Sequence, residues 1–379
     1  MTLSLSELRR WPDLETRELQ AWDAADTLML DESESLIDGA PVTVIGDSFG
    51  ALTLGAIAAG ATEVRVHQDD LVGELALAAN ARVAGVSAAT YRSMGLTPQL
   101  VAGATLVLLR LPRSLDALDE IAGVIAEHAS PDVVVVAGGR LKHMTISMNE
   151  VLARHFSRID VSHARQKSRL LIAREPKAAP SVGPRSLWHR ELDLTVVATG
   201  GVFAGPALDQ GTRAMVDVLE QLPPYQRAID LGCGTGIFAA SLARRNLDAD
   251  VLATDQSTAA VTSARLTAAA NDLTVEVTRD DALSREPDGS ADLVLLNPPF
   301  HTGSTVHSGL AQKLFEASAR VLRPGGELWT VWNSHLGYRP QLERIVGPTR
   351  QGARGPKFTV TASMRSGSIS PAMTSASRN

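Results

Sequence analysis

Short apolar runs punctuate the chain at regular intervals. In the first half they are Val42–Ile45, the start of Val64–Asp69, Leu106–Leu109 and Val133–Val136; in the second they are Ala228–Leu231, the start of Val251–Gln256, and Leu293–Leu296. Runs this short, without strict alternation, are the pattern of parallel strands covered on both faces. Between them lie Ala-rich stretches of helical character, such as those carrying Ala78-Ala79-Asn80 and Ala269-Ala270-Asn271. The order repeats, and so does the spacing: Leu106 lies 61 residues after Ile45, and Leu293 lies 64 after Ile229. Equal order at near-equal spacing implies duplication. The pattern predicts an α/β protein of two tandem, doubly wound Rossmann-like domains, whose ligands bind at the carboxyl ends of the strands.

The segment from Glu175 to Pro184 is rich in proline and small residues and has little to bury. It predicts a linker over 175–190, separating a domain at 1–174 from one at 191–365. The Ser-rich end, 366–379, is expected to be disordered. A length of 379 residues exceeds one ordinary core, in agreement with two domains.

Composition narrows the picture modestly. A net charge of -6 gives no overall attraction to nucleic acid. The charge is uneven, however. Residues 1–38 carry ten acids against three arginines, whereas 151–190 carry nine Lys/Arg, Arg165 and Lys167 among them, against Asp160 and Glu175. A basic stretch inside an acidic chain is a local footprint for phosphate. The single cysteine, Cys233, excludes an internal disulfide and fits a reducing compartment. Met1–Ser4 carries no leader pattern, and no uncharged apolar run reaches about 18 residues, so a cytoplasmic protein without a membrane span is expected. No cluster of residues has metal-ligand spacing, and no metal is expected.

The second half holds the candidate chemistry. Strand Ala228–Leu231 runs into Gly232-Cys233-Gly234-Thr235-Gly236, where three glycines in five residues let the backbone turn tightly and approach a ligand. Asp230 precedes the glycines, placed to meet a ligand's amino end. Asp255, followed by Gln256, ends the next strand, where a carboxylate can accept both ribose hydroxyl protons. Asp280-Asp281-Ala282 ends the third strand, where a carboxylate can accept from an adenine amino group. Three acids at strand ends in this order point to S-adenosylmethionine. The glycines are packed closer than the G-x-G-x-x-G of nicotinamide binders requires.

After Leu293–Leu296 comes Asn297-Pro298-Pro299-Phe300-His301. Two prolines cannot continue a parallel ladder, so they predict a rigid loop beside the cofactor. An amino group conjugated to a ring is a poor nucleophile. The Asn297 side-chain oxygen and the Pro298 carbonyl can accept its two hydrogens and turn the nitrogen toward the methyl group, leaving catalysis mainly to alignment. Phe300 offers a flat face for a planar base, worth ~1–3 kcal/mol. A base inside folded RNA would first have to be extruded. His301 is a candidate for proton relay or for binding phosphate or backbone.

These residues resemble those of the bacterial ribosomal RNA guanine-N2 methyltransferases, in which two class I methyltransferase-like domains stand in tandem and only the C-terminal one is active. The resemblance covers nearly the whole chain. It rests on Leu19–Asp26, Gly201-Val202-Phe203, Leu208–Thr212, Asp230–Gly236, Asn297–His301 and Asn333–Tyr338. The first and last of these are closer to the large-subunit enzyme than to the small-subunit one. The resemblance implies that Phe203 and Thr212 help close the cofactor pocket. It implies further that the substrate is a guanine of ribosomal RNA, met as RNA, as a ribosomal subunit or as an assembly intermediate.

In the first copy, Arg110-Leu111-Pro112-Arg113 stands at the catalytic position and the glycine loop is reduced to Gly46-Asp47-Ser48-Phe49-Gly50. This half is expected to have kept the fold and lost the chemistry. Arg110, Arg113, Arg140, Lys142 and His143, with the basic stretch after them, are expected to position RNA. Three rivals stay open on the residues alone: an adenine-N6 nucleic-acid methyltransferase, a protein-glutamine methyltransferase, and an RNA-binding scaffold with a vestigial cofactor site.

Overall fold

The computed structural model describes residues 3–16, 19–177, 183–298 and 304–367. Its first half begins with α1 (Ala24–Ile37), capped by Asp23, and then alternates β1 (Pro41–Ile45), α2 (Ala51–Ala58), β2 (Glu63–His67) and α3 (Leu71–Val83). There follow β3 (Tyr91–Ser93), α4 (Pro98–Val101), β4 (Leu106–Arg110), α5 (Leu115–His128) and β5 (Val134–Arg140). The half closes with α6 (Ile146–His155), β6 (Phe156–Val161) and β7 (Ser168–Pro176). These strands form one seven-stranded sheet of order β3-β2-β1-β4-β5-β7-β6. Strands β1 to β5 run parallel, and β7 is antiparallel to both neighbours.

A two-stranded hairpin, β8 (Arg185–His189) with β9 (Leu194–Ala198), comes next. Then follow α7 (Gln210–Val216), β10 (Arg227–Leu231), α8 (Ile237–Arg245), β11 (Asp250–Asp255), α9 (Thr258–Ala270), β12 (Glu276–Arg279) and β13 (Ala291–Leu296). The last elements are α10 (Ser304–Val321), β14 (Leu322–Asn333), α11 (Arg339–Ile345), β15 (Thr349–Arg354) and β16 (Phe358–Met364). The second sheet has the order β12-β11-β10-β13-β14-β16-β15, element for element the order of the first.

Burial explains why the apolar runs lack alternation. In β1 and β4, Val42, Val44, Leu106 and Leu108 pack with α1 and α2 on one face of the sheet. Their neighbours Ile45, Val107 and Leu109 pack with α4, α5 and α6 on the other. In the second sheet Ile229, Leu231, Val294 and Leu296 share a core with Phe315 of α10 and Leu342 of α11.

Two expectations are corrected. The linker expected over 175–190 is partly strand: Glu175 and Pro176 end β7, and Arg185–His189 form β8. The hairpin pairs each strand along one edge only, and Leu187 and Trp188 stay 45% and 54% exposed, so no apolar periodicity announced it. The fifth strand extends through Gly138-Gly139 to Arg140, pairing along its length with β7. Its two glycines disguised the continuation, and Arg140 lies on the strand rather than after it.

Close contacts divide the chain into two compact units. One comprises Met1–Ala207 with Gly234–Ile237 and Asp255–Asp272; the other comprises Leu208–Cys233, Phe238–Thr254 and Leu273–Asn379. Among the described residues no helix is long and apolar enough to cross a membrane. No group of three or more His, Cys, Asp or Glu among them could hold a metal.

Candidate active site

Register sets the level of each candidate residue. In the second sheet Leu231 pairs with both Thr254 and Leu296, so Gly232, Asp255 and Asn297 follow at the same edge. The loop after β10 is held by Thr254, whose carbonyl accepts from Gly232 N at 2.8 Å and Cys233 N at 3.1 Å. Gly232 (φ 72°) and Gly234 (φ 52°) are left-handed, and a Cβ on either would meet nothing within 4 Å. Gly236 (φ 76°) is left-handed too and is crowded besides: its Cβ would lie 2.8 Å from that of Ala264 on α9. Asp230 is buried, and its Oδ2 accepts from Ala239 N near the start of α8 at 2.9 Å.

Asp255 is the hub of its loop. Its Oδ2 accepts from Gly234 N at 3.1 Å and its Oδ1 from Ser257 N at 3.0 Å. Burial pushes its carboxyl up; the Ser257, Gly234 and Gln256 N–H groups oppose that, and the negative charge of Asp69 adds to it. Sequence reasoning missed Asp69. Its carboxylate accepts from the Ser257 hydroxyl at 2.6 Å and from Ala259 N at 2.8 Å, and so caps α9 just beyond Gln256. A backbone bond from Leu71 N to Gln256 O, 3.0 Å, fixes the same segment. The only sequence signal was a pair of acids, Asp69-Asp70, at the end of β2.

The loop after β12 is strained: Ala282 (φ 52°) and Leu283 (φ 60°) are left-handed, at roughly 1–2 kcal/mol each. Asp280 closes it, accepting from Ser284 Oγ at 2.5 Å and Arg285 N at 3.2 Å. Both oxygens of Asp281 accept from Lys313 Nζ, at 2.7 and 2.6 Å. The candidate adenine acceptor therefore already holds a cation that its local sequence did not reveal.

Asn297 leaves β13 at the open edge. Its Nδ2 donates to Thr212 Oγ1 at 3.4 Å. Thr212 in turn donates its hydroxyl proton to the carboxylate of Asp209, which caps α7 through Gly211 N at 2.8 Å and Thr212 N at 3.3 Å. Asn297 Oδ1 is buried and accepts a hydrogen bond from no described residue. Pro298 is buried. Pro299, Phe300 and His301 lie outside the described residues. Phe203, in the turn after β9, is 67% exposed, whereas Thr212 is buried.

The first copy differs at each corresponding level. Ile45 pairs with His67 and Leu109, so Gly46, Gln68 and Arg110 follow where Gly232, Asp255 and Asn297 follow in the second. A Cβ on Gly46 would meet the Arg110 carbonyl at 3.2 Å and its Cβ at 3.3 Å. The Arg110 guanidinium donates to Asp23 and Asp26, so it does not present the free cation that sequence reading assigned to RNA. Arg165 is similarly paired with Asp31. Arg113 and Lys142 are exposed and have no acidic partner among the described residues, and with Arg140 they surround His143. Burial first, then these three cations, hold the His143 imidazole below its ordinary range. Lys167 joins them through the backbone, its carbonyl accepting from Leu141 N at 2.9 Å.

Two family descriptions match the chain: "RLMG N-terminal domain" over residues 2–177 and "Methyltransferase small domain" over 193–362. The ribosomal RNA large subunit methyltransferase G of Pseudomonas aeruginosa is 35% identical over 93% of this chain and 96% of its own length. The protein of that name from Streptomyces coelicolor is 34% identical over 94% and 97%. Among solved structures, a Thermus thermophilus 16S rRNA N2 G1207 methyltransferase, in complex with AdoMet and guanosine, covers 90% of this chain and 92% of its own. Its TM-score is 0.76 at 22% identity, a likeness of fold.

Proposed function

The chain belongs to the ribosomal RNA large subunit methyltransferase G family, and from that footing we propose that it methylates the exocyclic N2 amine of a guanine in large-subunit ribosomal RNA, using S-adenosylmethionine. The observation that carries this reading is Asn297 Oδ1, a buried acceptor with no partner among the described residues at the carboxyl edge of a parallel sheet. An orphaned buried acceptor is costly, ~1–3 kcal/mol, unless a ligand donates to it.

The residues around it fit the cofactor. Gly232 and Gly234 face open space, as a backbone cradle must. Asp255 accepts from backbone N–H groups of its own loop, and a carboxylate's roughly four acceptor positions leave room for ribose hydroxyls. Asp230 and Gln256 complete the loop side, and Asp281 with Ala282 the adenine side. When bound, S-adenosylmethionine supplies an electrophilic methyl group on a good leaving group. The chain's own contribution is alignment: Asn297 Oδ1 and the Pro298 carbonyl accept the two amine hydrogens and direct the nitrogen lone pair at that methyl. In this reading Phe300 stacks on the base and His301 binds nearby phosphate or backbone.

Residues 191–365 then form the catalytic domain and 1–174 a domain that holds RNA without transferring methyl groups. Arg113, Arg140, Lys142 and Lys167 are its phosphate contacts, on an RNA or an assembling large subunit in the cytoplasm. Mapping N2-methylguanine in ribosomal RNA from cells with and without the gene tests the assignment. One large-subunit guanine should lose its methyl group and regain it on adding the protein. Loss at a small-subunit guanine, or at an adenine N6, would overturn it.

A further inference from the structure

The chain Asp209–Thr212–Asn297 has a direction, and the direction bears on which atoms the site accepts. A carboxylate only accepts hydrogen bonds, and a threonine hydroxyl has one proton to give. The Thr212 proton goes to Asp209. Thr212 Oγ1 can then serve Asn297 only as an acceptor, so the amide must turn its Nδ2 toward Thr212, as the 3.4 Å contact has it. The carbonyl Oδ1 is thereby left pointing away from Thr212, with no donor from a described residue. Were the amide flipped, Oδ1 would face an oxygen without a proton, and a buried NH2 would stand where the substrate's amine must approach.

Gly211 is part of the same arrangement. A Cβ there would lie 3.3 Å from Asn297 Oδ1 and 3.1 Å from Asp209 Oδ1, crowding the acceptor and its support together. Asp209 also caps α7 through two backbone N–H groups, which fixes its carboxylate in place for Thr212.

We infer that Asp209 and Thr212 are positioning residues that set the polarity of Asn297. Through them the site is held as a hydrogen acceptor, selecting a substrate atom that carries hydrogens, an amine, over a carbonyl or an unprotonated ring nitrogen. The inference rests on the functional reading above and goes past the pocket-closing role that family resemblance suggests for Thr212.

Thr212→Val keeps the shape and removes the acceptor, leaving Nδ2 unpaired and the amide free to turn. Steady-state kcat on ribosomal RNA should fall about 10- to 100-fold, well beyond any change in cofactor affinity measured by calorimetry. Thr212→Ser, which restores the hydroxyl, should recover most of the loss. Asp209→Asn, which retains helix-capping ability but can donate as well as accept, should lower kcat in the same way. Melting curves identify any variant that has lost the fold, and the Ser variant carries the comparison in that case. Wild-type kcat in Thr212→Val, or a loss confined to cofactor affinity, would overturn the polarity chain. A wild-type enzyme that methylates no exocyclic amine would overturn the reading beneath it instead.

Discussion

Strands β1, β2 and β4 of the first sheet and β10, β11 and β13 of the second share order, direction and register, but they end in different chemistry. Val44 stands at the level of Asp230, Gln68 at that of Asp255, and Arg110 at that of Asn297. The space before Gly46 is taken by Arg110; before Gly232 it is open. The first copy's loop is tied to itself: Asp47 accepts from Gly50 N and Thr53 N, and Gln68 Nε2 donates to the Asp47 carbonyl at 2.6 Å. Packing of apolar strands preserved the fold in both copies. The proposed function depends on a few strand-end side chains, which lie outside that apolar packing.

The sharpest break of that comparison is at Asp255 and Gln68. Asp255→Ala removes the carboxylate proposed to accept from two ribose hydroxyls and should weaken S-adenosylmethionine binding about 100-fold or more, at ~1.5–3 kcal/mol per bond to a charged group. Gln68→Ala at the same level of the first sheet should leave it unchanged. Calorimetric titration distinguishes them, and equal losses would mean that both copies bind cofactor.

A smaller effect is expected on the first copy's basic cluster. Reversing Arg113, Arg140 and Lys142 together should weaken RNA binding and flatten its dependence on salt, by ~0.7 in the logarithmic slope for each single-strand phosphate no longer neutralised. Cofactor affinity should be untouched. RNA affinity unchanged at all salt concentrations would remove this half from substrate binding.

The smallest effect concerns what fills the vacated position. Burial pushes Asp26 up to about 6 from an ordinary 3.8, against the pull of Arg110 and with the charge of Asp23 adding to the rise. The native state therefore binds the proton more tightly than the unfolded chain. The stability this group contributes is present at low pH and is lost as pH rises from about 4 through 6. Asp26→Asn should flatten that part of the stability–pH curve in denaturant titrations; a curve of unaltered slope would show that another group is responsible.

Much of this was legible in the residues. The duplication, the buried strands and the glycine loop follow from periodicity, since a parallel strand covered on both faces cannot hide its apolar run. The place of Asn297 and Asp255 at the carboxyl edge was legible because they directly follow or end such runs. What stayed hidden were side-chain partners far away in the chain. Arg110 finds Asp23 and Asp26 at separations of 87 and 84 residues, Asp281 finds Lys313, and Asp69 finds Ser257. Charge alone suggested free groups; only the folded chain shows which are already engaged. The Thr212 hydroxyl stood out through family resemblance, but its direction of donation depends on Asp209 being a carboxylate within reach.

The central claim is that Asn297 presents the amine to the methyl group while the rest of the second copy holds the cofactor. The most direct measurement compares Asn297→Ala with the wild type in two assays on one preparation: calorimetric binding of S-adenosylmethionine, and transfer of labelled methyl into ribosomal RNA. The account predicts binding close to wild type and transfer reduced by about 10²–10³-fold or more, the scale set by removing one preorganised contact to a reacting group. Transfer at a near-normal rate would place the chemistry elsewhere in the chain.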